Sequence, residues 1–152
     1  QGYVQIANIF METAEQEKEH AKRFYKFLKD DFAGEAIEIN AAYPVDLYDD
    51  TAKNLRAAAK GEHEEWSHDY PEFARVAREE GFPAIAVAYE RITEVENRHE
   101  RRYNKLLKNI EEECCNKEIK KSFNGIDEKI IDFLCRAKKL TYAGGGNESQ
   151  FF

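Results

Sequence analysis

Two copies of a Glu-x-x-His pair, Glu17 with His20 and Glu96 with His99, constrain the fold of this chain more than any other feature. In a helix, residues three apart lie on one face, so each glutamate projects beside its histidine. Burying either group alone costs roughly several kcal/mol, and a buried pair therefore needs compensation. A bound metal ion would compensate both pairs.

Each pair lies within a stripe of apolar residues that recur at steps of three and four, which is typical of a buried helix face. The stripes comprise Ile6, Phe10, Thr13, Phe24 and Phe27 around the first pair, and Ile85, Tyr89, Ile92, Tyr103, Leu106 and Ile110 around the second. One pair alone would arise easily by chance in a glutamate-rich segment. Two pairs in matching registers favour a metal site over surface decoration.

Between the two pairs lies a third candidate helix, which carries Glu62 and Glu65 one turn apart. Its predicted buried stripe is Leu55, Ala58, Glu62, Glu65, Asp69, Phe73 and Val76. Taken alone, this acidic turn would be a solvated surface. Helical bundles with a di-iron or di-manganese site use glutamates from two helices and Glu-x-x-His from two others. Carboxylates can bridge two hard cations, and imidazole suits iron.

The sequence therefore predicts six metal ligands on three helices, with the fourth, glutamate-bearing helix unaccounted for. The ligands are Glu17, His20, Glu62, Glu65, Glu96 and His99. His63 and His68 lie off the stripe and are expected either to be solvated or to contact the ligands without binding the metal. Tyr70 has two interpretations: its hydroxyl could donate a hydrogen bond to a ligand carboxylate, or it could simply pack before Pro71.

An all-α, ferritin-like four-helix bundle is the predicted fold. Helices are predicted over about Val4–Leu28, Thr51–Glu80, and Pro83 to a point between Ile110 and Glu113. Pro71 is expected to kink the second helix just past its acidic cluster. The long connection between the first two helices can cross the bundle, so these helices should be parallel. The short Gly81-Phe82-Pro83 link makes the second and third helices an antiparallel hairpin.

The length of 152 residues favours one helical domain over residues 1–113, followed by a C-terminal region over residues 114–152. That region is expected to form a short amphipathic helix at Asp127–Leu140 and a flexible tail containing Gly144–Gly146. The net charge of -7 argues against a general nucleic-acid binder. Membrane spans, signal-peptide patterns and a Cys-x-x-Cys pair are not found, so we expect a cytoplasmic protein with reduced thiols.

Three stretches of the chain resemble the rubrerythrin family. They are Phe10–Leu28, with Glu-Lys-Glu-His-Ala-Lys-Arg-Phe-Tyr-Lys-Phe-Leu; Ala52–Pro83, with Gly-Glu-His-Glu-Glu-Trp; and Ile92–Ile110, with Glu-Asn-Arg-His-Glu-Arg-Arg-Tyr. The resemblance implies a ferritin-like di-iron domain in a homodimer or larger assembly. It also implies reduction of hydrogen peroxide to water with electrons from rubredoxin-type donors.

The matching positions imply individual roles. Glu17 and Glu96 would bridge the metals, and His20 and His99 would supply imidazoles. Glu62 would be a terminal ligand, and Glu65 would exchange with His20 as iron changes oxidation state. Tyr70 would support the ligands. Glu65 and Tyr70 are thus the candidate catalytic residues. Two iron ions are the cofactor that the resemblance implies, and the carboxylate and imidazole ligands leave manganese or zinc open as alternatives.

The chain departs from the family pattern at both ends. The family's first helix would lie before Gln1, and its rubredoxin knuckles do not occur in the sequence. We therefore expect an external rubredoxin-type donor, and a fourth helix from another chain, by exchange, or from Asp127–Leu140. In that last arrangement Glu128 or Asp132 would face the metals. A ferritin-like iron-binding or ferroxidase protein and a metal-poor oligomerisation module are the alternatives; the six retained ligands oppose the module.

Overall fold

The structure, a computed structural model, describes residues 3–122 and 129–130. Its elements are α1 (Val4–Phe32), α2 (Thr51–Glu64), a π-helical turn (Glu65–Asp69), α3 (Tyr70–Glu79) and α4 (Pro83–Ser122). Across this described part of the chain no strand occurs, which confirms the all-α prediction. No helix found there is long and apolar enough to cross a membrane.

The chain divides into two compact units, Gln1–Leu106 and Leu107–Phe152. All of the predicted ligands lie in the first unit. In the second unit, α4 continues to Ser122, and residues 129–130 are helical. The predicted amphipathic helix and glycine-rich tail, with Glu128 and Asp132, otherwise lie outside the described residues.

Helices α1 and α4 are antiparallel neighbours. The rings of Phe10 and Tyr103 stack with centroids 5.1 Å apart. Fourteen residues later on α1, the ring of Phe24 lies 5.3 Å from that of Tyr89, fourteen residues earlier on α4. Since the residue numbers of these contacts rise along α1 and fall along α4, the two helices run in opposite directions.

The segment from α2 to α3 also packs antiparallel to α4. The Trp66 indole donates a hydrogen bond of 2.6 Å to Glu100, and Tyr70 stacks on Tyr89 at 5.8 Å. Because both α1 and this segment oppose α4, they run parallel to each other, as the length of their connection predicts. The connection, over residues 33–50, is exposed and without regular structure.

The helix ends follow their predicted chemistry. The Asp50 side chain accepts a 2.7 Å hydrogen bond from the backbone N–H of Lys53, which caps the start of α2. Gly81 adopts φ of +87°, a left-handed conformation that favours glycine and ends α3. Pro83 then begins α4, where its missing N–H has no helical partner to lose.

The π-helical turn corrects one part of the prediction. Regular periodicity predicts Asp69, Phe73 and Val76 on the buried face, whereas the buried residues are Tyr70, Ala74 and Ala77. The backbone N–H of Tyr70 bonds to the Glu65 carbonyl, five residues back, so the turn holds one extra residue. Every later side chain is displaced by one position, and Phe73 is 46% exposed. The irregularity therefore coincides with Glu65 and precedes Pro71.

Candidate metal centre

The second Glu-x-x-His pair lies at the buried centre of α4. The side chains of Glu96 and His99 are 0% and 4% exposed. Ile92 and Tyr103, about one turn to either side, are also buried, as the stripe predicts. The helical spacing places both polar side chains on the face that α1 and α2 cover.

The first pair, on α1, is more open to solvent. The side chain of Glu17 is 40% exposed and that of His20 is 13% exposed. His20 Nδ1 lies 3.0 Å from Glu17 Oε2 and 3.0 Å from Glu96 Oε1. His20 therefore bridges the two motifs.

Three helices bring four of the six ligand candidates to a common point. Ligand atoms of Glu17, Glu62, Glu96 and His99 all lie within 4.8 Å of one another. His99 Nδ1 is 2.9 Å from Glu96 Oε2 and 3.3 Å from one oxygen each of Glu17 and Glu62. Residues separated by up to 82 positions in the sequence thus form one cluster.

The converging atoms fit a bound cation. Among the described side chains, buried atoms without hydrogen-bond geometry to any partner include Glu17 Oε1, Glu62 Oε2, both oxygens of Glu96 and His99 Nδ1. Buried polar atoms that lack hydrogen bonds destabilise a fold unless something satisfies them. Carboxylate oxygens with imidazole nitrogen are ligands for iron, manganese or zinc. The donor set does not select among these metals.

Two carboxyl groups, Glu62 in the cluster and Glu65 beside it, resist ionisation. Burial, followed by the charges of neighbouring carboxylates, raises the pKa of Glu65 to about 7. Burial likewise raises the pKa of Glu62 to about 6. The carboxylates that raise the pKa of Glu65 include Glu96, Glu62 and Glu17, so Glu65 lies near the cluster although it is on the π-helical turn. Such crowding of negative charge is relieved when a cation binds.

The histidines and the remaining glutamates compensate each other. Glu17 and Glu96 raise the pKa of His20 to about 9. Burial would lower the pKa of His99, but the nearby carboxylates outweigh burial and raise it to about 11. Burial would raise the pKa of Glu17, but His20 and His99 lower it to about 2. Without metal, both imidazoles are therefore protonated on both nitrogens and positively charged at neutral pH.

Tyr70 has features of both interpretations that the sequence leaves open, a packing residue and a hydrogen-bond donor. Its ring is buried and stacks on Tyr89, as a packing tyrosine would. Burial, and then the charge of Glu65, raise the pKa of its hydroxyl, so the hydroxyl stays protonated. Tyr70 follows the π-helical turn directly, and that turn places it on the same side of the segment as the acidic cluster.

Two residues near the cluster were not predicted from the sequence. Gln16 Oε1 lies 2.6 Å from His99 Nε2, and Glu100 accepts the hydrogen bond from Trp66. Neither residue lies on an apolar stripe, and the position of Gln16 beside Glu17 is the only hint. The side chains of His63 and His68 are 54% and 80% exposed, which agrees with their predicted place outside the cluster.

Comparison with known proteins decides the family. Residues 1–107 match the family model Rubrerythrin, which covers more than half of the chain. The chain belongs to the rubrerythrin family. The resemblance identified from the motifs is therefore confirmed, and so is the ferritin-like, all-α fold class.

Among curated relatives, a rubrerythrin of Clostridium perfringens is 66% identical over 112 residues, and rubrerythrin-1 of Clostridium acetobutylicum is 61% identical over 113 residues. Each alignment covers 74% of this chain but only 57% of the relative. The chain thus spans little more than half the length of these rubrerythrins. A putative rubrerythrin of Methanocaldococcus jannaschii is 36% identical over 149 residues, covering 95% of this chain and 69% of the relative.

Proposed function

We propose that this protein is a di-iron peroxidase of the rubrerythrin type, which reduces hydrogen peroxide to water in the cytoplasm. The observation that carries the proposal is the convergence of buried ligand atoms, without hydrogen-bond geometry to any partner, from Glu17, Glu62, Glu96 and His99 within 4.8 Å. A cluster of this composition suits redox-active iron. Family membership supports iron as the metal, with manganese or zinc as competitors.

Six residues would hold two iron ions in this proposal. Glu17 and Glu96 would bridge them, and His20, His99, Glu62 and Glu65 would complete the ligand set. The position of Glu96, with His20 Nδ1 and His99 Nδ1 at 3.0 and 2.9 Å from its two oxygens, supports its role as a bridge. When bound, two ferrous ions would supply the two electrons that cleave the O–O bond of peroxide.

Glu65 and Tyr70 would serve the reaction through protons and hydrogen bonds. Reduction of one peroxide to two waters consumes two protons as well as two electrons. With a pKa of about 7, Glu65 can hold or release a proton near neutral pH. Tyr70, whose raised pKa keeps its hydroxyl protonated, would donate a hydrogen bond to Glu65 or to the bound peroxide. Glu65 would also exchange with His20 as a ligand.

The electrons would come from a separate rubredoxin-type donor, and the bundle would be completed in a homodimer or larger assembly. The greater exposure of the α1 motif supports a further helix or chain on that side. Met11 and Tyr25, on the exposed surface of α1, are each 65% exposed. Covering such side chains would stabilise the assembly.

Rapid mixing of the anaerobically reduced, iron-loaded protein with hydrogen peroxide tests the proposal. We expect oxidation to be at least tenfold faster with peroxide than with an equal concentration of oxygen. Tyr70→Phe should slow the peroxide reaction about 10- to 100-fold while keeping the ring stack. Tyr43→Phe, in the exposed connection between α1 and α2, is the matched control and should leave the rate unchanged. Faster oxidation by oxygen would instead indicate a ferroxidase.

A further inference from the structure

The two ring nitrogens of His99 face different chemical groups. Nδ1 points to the carboxylates of Glu17, Glu62 and Glu96 at 2.9 to 3.3 Å. Nε2, on the other side of the ring, lies 2.6 Å from the side-chain oxygen of Gln16. With 4% of its side chain exposed, His99 has little access to water that could replace either contact.

A side-chain amide oxygen can only accept a hydrogen bond, so Nε2 must be the donor in this contact. A neutral imidazole that keeps its proton on Nε2 has its lone pair on Nδ1. We propose that Gln16 is a positioning residue that fixes this tautomer and the ring orientation of His99, so that Nδ1 is the metal-binding atom. The inference rests on the proposed metal site.

The placement of Gln16 is set by the packing of α1 on α4. Gln16 immediately precedes Glu17, so a single turn of α1 carries both a ligand carboxylate and the acceptor for His99. One turn earlier, Glu12 forms two ion-pair contacts with Arg102 of α4 at 2.7 and 2.9 Å. These contacts lie in the same register of the two helices as the Gln16–His99 contact.

The two ring nitrogens of His99 therefore have different roles. Nδ1, which faces the carboxylates, would bind the metal through its lone pair. Nε2 would keep its proton in the hydrogen bond to Gln16. If the amide of Gln16 were turned over, its NH₂ would face Nε2, the proton would sit on Nδ1, and this assignment would fail.

Nitrogen-15 NMR of histidine-labelled, zinc-loaded protein reads the tautomer directly, because zinc is diamagnetic. We expect the wild-type spectrum to show Nε2 of His99 protonated and slow to exchange, with Nδ1 bound to zinc. Gln16→Leu should abolish the slow exchange and weaken zinc binding, measured by chelator competition, about 10- to 100-fold. Gln16→Glu keeps an acceptor and should restore the protected proton.

Gln5→Leu is the matched control, since Gln5 is an exposed residue of the same helix, and it should leave spectrum and affinity unchanged. A wild-type spectrum with the proton on Nδ1 would overturn the inference without any variant. So would equal zinc affinities for wild type and Gln16→Leu. If the wild-type protein binds no zinc, manganese or iron, both the inference and the proposed function fail, whereas zinc binding that ignores Gln16 defeats the inference alone.

Discussion

The two Glu-x-x-His motifs share one pattern but occupy different surroundings. The side chains of Glu96 and His99 are 0% and 4% exposed, whereas those of Glu17 and His20 are 40% and 13% exposed. Both motifs lie at the centre of an apolar stripe, so periodicity alone cannot distinguish them. The motif supplies the ligands, and the packing around it determines how strongly each ligand is held.

The difference follows from the neighbours of each helix. Helix α4 contacts α1 through Phe10 and Tyr103, and it contacts the α2–α3 segment through Trp66 and Glu100. It is therefore covered from two directions. Helix α1 has its opposite side exposed, as shown by Met11. We infer that the α4 motif organises the site and that the α1 motif adapts to it.

The largest difference in stability is expected between the variants that neutralise Glu96 and Glu17. Glu96→Gln leaves two buried imidazoles without their shared carboxylate, so we expect the metal-free protein to lose about 3–5 kcal/mol of unfolding free energy. Glu17→Gln should cost about 1 kcal/mol, because solvent screens its half-exposed charge. Urea denaturation of both variants at pH 7 measures the difference. Equal losses would contradict the unequal roles of the two motifs.

Metal binding should displace one proton from the histidine of each motif. The pKa values of about 9 for His20 and 11 for His99 mean that both imidazoles are protonated at pH 7, and metal must displace a proton from each. Apparent metal affinity should therefore rise with pH between about 6 and 8 and weaken in acid.

Calorimetry of zinc loading in buffers of different ionisation enthalpy counts these protons. We expect about two protons per chain from the imidazoles, plus a fraction from Glu65, whose pKa is about 7. His20→Gln and His99→Gln should each release about one proton fewer. An affinity that does not change with pH would show that these imidazoles are not displaced by metal.

A smaller effect is expected at the contact that joins the α4 motif to the π-helical turn. Trp66 donates a 2.6 Å hydrogen bond to Glu100, the residue after His99. Trp66→Phe keeps an aromatic ring but removes the donor, and it should cost about 1.5 kcal/mol because the lost bond has a charged acceptor. Thermal unfolding measures this. Retention of full stability would mean that the bond does not fasten the turn to α4.

The smallest effect should come from the ion pair that joins α1 to α4. Glu12 and Arg102 are 50% and 38% exposed, so Glu12→Gln should lower the unfolding free energy less than the other substitutions, and the loss should vanish in high salt. Urea unfolding at low and high salt compares the variant with Glu15→Gln, whose carboxylate pairs with Lys18 on the same helix. A loss of several kcal/mol would show that α1 depends on this pair.

The sequence predicts much of this arrangement for physical reasons. Apolar steps of three and four report buried helix faces, so the helices and the central positions of Glu96 and His99 follow directly. The displaced face after Glu65 does not follow, since periodicity assumes regular turns and the π-helical turn adds a residue. Gln16 is also missed, because a neutral amide has no periodic or charge signature. The role of Gln16 depends on its contact with Nε2 of His99, which the packing of α1 on α4 determines.

Metal content per chain, measured after anaerobic reconstitution with ferrous iron, tests most directly whether three helices build a two-metal site. The account predicts about two irons per chain for the wild-type protein, and one molecule of hydrogen peroxide consumed for every two irons oxidised. Glu96→Gln should lose most of the iron, whereas Glu17→Gln should retain part of it. Little iron, or iron that peroxide does not oxidise, would contradict the assignment of this cluster as a di-iron centre.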